Sequence, residues 1–326
     1  MKLSLNPPGT IPALTVFAAW LALSLLSAAA EGLRAETASR PDRITLSFRN
    51  QPVMVYEFAP DRYKPYVKKL HLLRGGNVLL DAPPDHLHHH ALMYGIKVNG
   101  VNFWEEISGS GVQRVIRTAE PELTTDGDGL PTAILRQELA WVPAADAFLP
   151  VTNLPALLKE SRTLTLTIDE KALEVALHWH SRFTVGNQTN TVALTGSSYH
   201  GLGLRFLPEL DPVAAHLTPA GPLDLDNRRQ EVSAHPWEAV RFEAPGRPAT
   251  LALFGAPGNA RGNPHFFAMR TPFAYLSATQ RLDQEPLVYK AGDTFEIHYL
   301  VTLYPEVKTA EALAARARRF AASPSP

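Results

Sequence analysis

Cysteine is absent from the chain. No disulfide can form, no thiolate can act as nucleophile or ligand, and the core must hold the fold unaided. The GxSxG nucleophile elbow is missing too, and the Gly201–Gly203 spacing fails the phosphate-loop pattern GxxxxGK[ST]. Those glycines read instead as permitting close backbone approach within a sheet. Nor does charge of one sign prevail: 31 Lys and Arg against 32 Asp and Glu leave a formal charge of −1. That balance gives no reason to expect nucleic acid or an anionic surface as partner. After Ala30 no apolar run approaches the length of a membrane span.

Before that point one run does. Lys2 is the sole charge ahead of Glu31, and the apolar stretch Ile11–Ala30 ends in Ser27-Ala28-Ala29-Ala30. A basic start, an apolar middle and small residues at Ala28 and Ala30 describe a secretory signal peptide over 1–30. Cleavage is expected after Ala30, with Ala35 as the alternative. An uncleaved anchor is the competing reading; Pro7, Pro8, Pro12 and the alanine-rich end favour cleavage. With no cysteine after the run, a lipid-anchored lipoprotein is excluded. The expectation is a soluble, exported protein, periplasmic or extracellular, of roughly 296 residues, ample for a core.

Residues 31–41 are polar and small and are expected to form a disordered leader. A single domain is expected over 42–322. Ile44, Leu46 and Phe48 alternate with Arg43, Thr45 and Ser47, the period of a half-buried strand. Asn99-Gly100 between short alternating arms is a hairpin signal. Further strands are expected at Val112–Arg117, Ala133–Trp141, Arg162–Ile168, Leu173–His180, Gly203–Phe206, Val240–Glu243, Thr250–Phe254 and Thr294–Tyr304. Turn-rich pieces separate them, including Pro208–Pro222 and Ala256–Pro264. The fold class that follows is all-β, an antiparallel sandwich, closed by one helix at Thr309–Ala321 with Thr309 as its cap.

One segment stands apart chemically: Asp81-Ala82-Pro83-Pro84-Asp85-His86-Leu87-His88-His89-His90. Imidazoles packed this closely repel when charged, so some should be neutral and able to act as bases or ligands. If the segment is extended, His86, His88 and His90 share one face and His89 takes the other. General acid/base work, coordination of a transition metal by His86, His88 and His89, and a plain solvated loop all remain open. A second group is His178 and His180, on one strand face with Glu174, and a third is His298 beside Glu296. Both are ranked below the first segment, because a polar strand face is most often a solvated one.

Tyr63-Lys64-Pro65-Tyr66, Pro84-Asp85-His86-Leu87-His88-His89 and Val98-Asn99-Gly100-Val101-Asn102-Phe103-Trp104 resemble the hallmark stretch of exported bacterial proteins labelled methane oxygenase PmoA-like. Lys159-Glu160-Ser161-Arg162 and Gly201-Leu202-Gly203-Leu204-Arg205 resemble later positions of that family, and the Asn263–Arg270 stretch is a looser echo. By position the resemblance implies roles for Asp85, His86, His88, His89, Trp104, Glu160 and Arg205. His90 departs from it, standing where an arginine is usual, and Leu87 replaces a proline. The label cannot be literal: the methane monooxygenase subunit it invokes is a polytopic helical protein, and no span remains here after Ala30. The family's β-rich pattern is similar to the galactose-mutarotase-like super-sandwich, which implies that fold here.

The leading functional expectation is an exported carbohydrate-active enzyme, a lyase, hydrolase or epimerase. His86, His88 or His89 would supply acid or base, Asp85 would orient its neighbour, Glu160 would be the second carboxylate and Arg205 would hold an anion. Trp104, His200 and Arg270 are the substrate-binding candidates, and the partner would be a small molecule or glycan. Two readings compete: a periplasmic copper- or zinc-binding protein using His86, His88 and His89, and a non-catalytic sugar-binding module. The cofactor is left open: none, or copper or zinc under the metal-binding reading.

Overall fold

The computed structural model describes residues 32–38, 42–244 and 246–322; the expected signal peptide over 1–30 lies outside them. Two large antiparallel sheets face each other. The first runs in the order Leu33–Thr37, Arg43–Phe48, Gln51–Glu57, Tyr66–Leu70, Leu92–Gly95, Gly201–Arg205, Tyr275–Thr279, His265–Met269 and Gln230–Ala234. Through the middle of the second run Arg247–Gly255, Thr294–Tyr304, Glu174–Val185, Leu158–Asp169 and Pro131–Val142. The first sheet has nine strands; the second has ten, nine along its main path and Glu122–Thr125 paired beside it with Pro131–Val142. A four-stranded ribbon joins Leu287–Lys290, Thr191–Thr195, Lys97–Val98 and Val101–Asn102.

Alternation fixes which residues fall between the sheets. Ile44, Leu46, Tyr94, Leu202, Leu204 and Leu276 from the first sheet meet Leu164, Leu166, Leu177, Trp179, Ile297 and Val301 from the second in one apolar core. Residues of opposite parity on the same strands therefore face outward. On the first sheet these are Met93, Gly203, Arg205, Phe267 and Tyr275; on the second they are His178, His180, Glu296 and His298. A separate apolar cluster of Tyr66, Met93, Trp104, Phe267, Met269, Phe273 and Tyr275 covers part of the first sheet's outer face. Part of the second sheet's outer face is covered by helix α1, Ala310–Ala322, through Leu313 and Ala317 against Trp237, Phe254 and Leu300.

The expected all-β antiparallel sandwich with one C-terminal helix is the fold observed. Thr309 Oγ1 accepts the Ala312 N–H at 3.3 Å, a capping bond at the start of α1. Asn99 and Gly100 both have positive φ (49° and 80°), as a tight two-residue hairpin requires, between the paired strands Lys97–Val98 and Val101–Asn102. Among the described residues no helix is long and apolar enough to cross a membrane. Two expectations need correction. Leu33–Thr37, read as disordered leader, is an edge strand in register with Arg43–Phe48, from Leu33 opposite Phe48 to Thr37 opposite Ile44. Its side chains are mostly polar, but its backbone pairs and Leu33 is buried. Pro208–Pro222, read as a loop, contains the strand Ala214–Thr218, with buried His216 and Leu217.

Candidate functional site

A cleft of about 330 Å³ opens on the outer face of the nine-stranded sheet. Its aromatic wall is Tyr199, Phe267, Phe273 and Tyr275, and its polar lining is His86, His88, His89, Glu105, Arg229 and Gln230. Phe267 and Tyr275 come from adjacent strands, in which Phe267 pairs with Ser277 and Met269 with Tyr275. Neither strand was anticipated from the sequence. Gly203 makes the wall feasible: a Cβ there would lie 2.0 Å from the Tyr275 hydroxyl and 2.9 Å from the Trp104 ring. The close backbone approach expected at these glycines holds at Gly201, where a Cβ would lie 2.0 Å from Ala278 O, whereas at Gly203 side chains make the approach.

The histidine segment is not extended. His86 N–H donates to Pro83 O and His89 N–H to His86 O, both at 2.9 Å, which curls the chain into successive turns. The expected division into two faces consequently fails. His86 and His89 stack on one another with centroids 4.6 Å apart, and His88 meets both edge-on. His90 turns inward instead. Its Nδ1 lies 2.7 Å from Asp81 and its Nε2 3.0 Å from Glu106, beneath the stacked ring of Tyr66. Buried Lys64 completes this knot, with Nζ 2.7 Å from Glu106 and 2.9 Å from Trp104 O. Burial opposes charge on His90, but its hydrogen bonds to Asp81 and Glu106 prevail and its pKa rises. Burial likewise works against the Glu106 carboxylate, yet His90 and Lys64 bring it down to about 2. His90 thus pins the histidine loop to the sheet through Asp81 and Glu106. It adds no ring to the cleft.

The other rings differ sharply. Burial, reinforced by neighbouring His88 and His86, lowers the His89 pKa to about 3. Burial also lowers that of His88. Both are neutral near pH 7. The Nδ1 of His86 lies 2.9 Å from Asp85 Oδ2. A carboxylate only accepts, so Nδ1 carries the proton and Nε2 of the neutral ring is left as a base. Asp85 is held in its ionised form by that bond, with Arg205 Nη2 3.8 Å away.

Three expected residues stand behind the cleft lining. Trp104 is fully buried, stacked on His200 at 4.9 Å and edge-on to His89 at 6.2 Å. His200 is buried as well, and burial takes its pKa to about 3. Arg205 lies beneath Phe273, its guanidinium carbon 3.3 Å from that ring's centroid. Trp104, His200 and Arg205 therefore support the lining rather than form it. Arg270 pairs with Asp226 and is also absent from the lining. Glu160 is further from expectation. It accepts from Trp141 Nε1 (2.7 Å), Arg162 Nε (2.7 Å) and Ser181 Oγ (2.6 Å) inside the sandwich. A carboxylate fully enclosed by donors is a core ion pair, and its catalytic assignment is withdrawn. The lining carboxylate is Glu105, whose Oε2 accepts from Asn102 at 2.7 Å. Its place immediately after Trp104 in the hairpin's outgoing arm was the available signal.

Coordination of a metal by His86, His88 and His89 is not supported by the geometry. Among the described residues, ligand atoms converge within 4.8 Å of one another in one group, His180, Glu296 and His298.

Fold and cleft together define an all-β sandwich with an imidazole-rich, aromatic-walled pocket. The chain belongs to a family described as DUF6807, a family of unknown function, whose model matches residues 43–318. This finding overturns the methane oxygenase PmoA-like label, which the matching family does not bear. No curated protein matches the chain. Among solved structures it is similar to an alpha-galactosidase from Lactobacillus brevis (TM-score 0.44, 9% identity, 83% of this chain and 39% of that one). The galactosidase domain of the alpha-galactosidase-sucrose kinase AgaSK overlaps comparably (0.45, 10%, 83% and 41%). So does a glycoside hydrolase family 97 enzyme from Pseudoalteromonas sp. strain K8 (0.42, 7%, 84% and 34%). The chain spans about two fifths or less of these proteins' lengths. Overlap at this level speaks to neither activity nor substrate.

Proposed function

We propose that the cleft binds a sugar ring and that His86 moves a proton on it. The observation that carries this reading is the Asp85–His86 pair at 2.9 Å beside an aromatic wall. Aromatic faces suit the C–H faces of a pyranose, while imidazole, carboxylate, guanidinium and amide groups suit its hydroxyls. A volume of about 330 Å³ matches one or two rings. In this reading His86 Nε2 accepts the substrate proton, and Asp85 steadies the imidazolium that forms. That imidazolium then gives the proton to the leaving hydroxyl or back to ring carbon, with Glu105 and His88 accepting hydrogen bonds from the substrate. Three imidazoles and one carboxylate line the cleft. That set favours epimerisation or β-elimination over glycoside hydrolysis, which ordinarily employs two carboxylates across the scissile bond. The pattern of residues 1–30 supports export, so the substrate would be met in the periplasm or outside the cell.

The test is proton exchange. Sugars and sugar acids incubated with the protein in D2O should acquire deuterium at ring carbon, or lose the equivalent proton by elimination, as read by NMR. His86→Ala should lower that rate about 10²–10⁴-fold while ligand binding persists. Binding with no exchange in the wild-type protein would establish the sugar-binding module instead. Exchange unaffected by His86→Ala would remove His86 from the mechanism. Mass determination of the exported protein checks cleavage after Ala30.

A further inference from the structure

On the opposite outer face, the ten-stranded sheet brings together residues that are far apart in sequence. His180 and His298 are directly opposed in the pairing of Glu174–Val185 with Thr294–Tyr304. Their rings stack with centroids 3.9 Å apart and planes 17° from parallel. Both aim Nε2 at the same oxygen: His180 Nε2 lies 3.2 Å and His298 Nε2 3.0 Å from Glu296 Oε2. Two stacked imidazoles converging on one carboxylate oxygen form an unusual arrangement for a solvated strand face. These spacings are close to the roughly 3.3 Å between ligand atoms around a tetrahedral ion with bonds near 2.05 Å.

The surroundings fix the three side chains in place. The other carboxylate oxygen, Glu296 Oε1, lies 3.5 Å from Arg182 Nε, leaving Oε2 for the histidines. The loop 256–262 grips the strand that carries two of the three residues. Asn259 Oδ1 accepts the His298 N–H at 2.6 Å, and its Nδ2 donates to His298 O at 3.0 Å. Ala260 N–H donates to Glu296 O at 2.9 Å. Regular strands plus a clamped backbone give the rigidity that a metal site needs. His178 adds a third imidazole, its centroid 5.8 Å from that of His298 and its buried Nε2 without a hydrogen-bond partner. Glu296 and His298 line a groove of about 890 Å³ together with His178 and Glu174.

We infer that His180, Glu296 and His298 bind a divalent transition-metal ion of the zinc class. Two imidazole nitrogens and one carboxylate oxygen supply three ligands, and the open side toward the groove leaves a position for water or a small ligand. The site is separate from the sugar cleft, on the other face of the sandwich, so it stands whether or not the cleft is catalytic.

Titration of the metal-stripped full chain with Zn2+ by calorimetry, and with Co2+ by visible absorption, decides the matter. The expected result is one ion per chain, with intense Co2+ d–d bands of low-coordinate geometry. Glu296→Gln and His298→Gln should each weaken Zn2+ binding more than ~10-fold, the loss expected on disturbing a site's ligands. A His86→Ala, His88→Ala double variant should bind as the wild type does. Glu296 is partly exposed, so Glu296→Gln remains informative if His298→Gln fails to fold. No stoichiometric binding, binding that survives both ligand variants, or binding lost in the cleft variant would each overturn the inference.

Discussion

The two histidine groups occupy opposite faces of one sandwich and are built in opposite ways. The cleft rings come from consecutive positions on a loop, curled by turns and pinned by the buried His90–Asp81–Glu106–Lys64 knot. The strand group comes from residues more than a hundred positions apart, set side by side by sheet register. The loop presents its rings beside an aromatic wall, with one imidazole polarised by Asp85. The strand group points two rings at a single oxygen. Proximity in sequence concentrated imidazoles without making their nitrogens converge, whereas pairing across strands achieved convergence from scattered positions.

The strongest challenge to this division is Glu160, which lies between the faces. Glu160→Gln leaves Arg162 as a buried charge without its carboxylate and should cost about 3–5 kcal/mol of stability in urea unfolding. With the protein still folded, proton exchange at the cleft and Zn2+ binding should both persist. Selective loss of exchange at unchanged stability would restore Glu160 to the chemistry.

Acid gives the next test, of the buried rings behind and within the cleft. His89 and His200 have folded pKa values near 3, below the ordinary 6.5, because burial disfavours the charged ring. The unfolded chain therefore takes up their protons first. Stability from these groups is complete above pH 6.5 and falls as pH drops toward 3. Each contributes up to about 2 kcal/mol of loss at pH 5. Urea unfolding at pH 7.5 and pH 5.0 should show a smaller difference in His200→Gln than in the wild type. An equal difference would mean that His200 titrates normally. His90 has the opposite sign, its raised pKa favouring the fold at lower pH and losing that benefit as pH rises through it.

The smallest expected effect concerns Asn259. Asn259→Ala removes two bonds to the His298 backbone and should cost about 1 kcal/mol or slightly more. It should weaken Zn2+ binding roughly 10-fold and leave exchange at the cleft unchanged. Equal disturbance of both functions would show that the two faces are coupled through the core.

Much of the fold was legible beforehand because the long strands alternate cleanly. Leu158–Asp169, Glu174–Val185 and Thr294–Tyr304 pack apolar residues on the inner face and polar ones on the outer. His265–Met269 and Tyr275–Thr279 were not legible, since both their faces are buried and alternation disappears. Those two strands furnish Phe267 and Tyr275, so the aromatic wall of the cleft escaped notice with them. Leu33–Thr37 escaped for the reverse reason: an edge strand needs few apolar side chains, since its backbone does the pairing.

The sequence by itself determined an all-β chain without disulfides, its hairpin at Asn99-Gly100, its closing helix and a concentration of imidazoles at residues 86–90. Local rules suffice there, because periodicity, turn residues and composition act over a few positions. Only the tertiary structure decided what each histidine is. His90 became a buried anchor with its charged form favoured because Asp81 and Glu106 close around it, and His89 became neutral near pH 7 because burial among aromatic rings disfavours its charge. His180 and His298 became a converging pair because two strands pair in one register. Burial and charge at a site depend on neighbours brought from elsewhere in the chain, and a run of letters does not carry them.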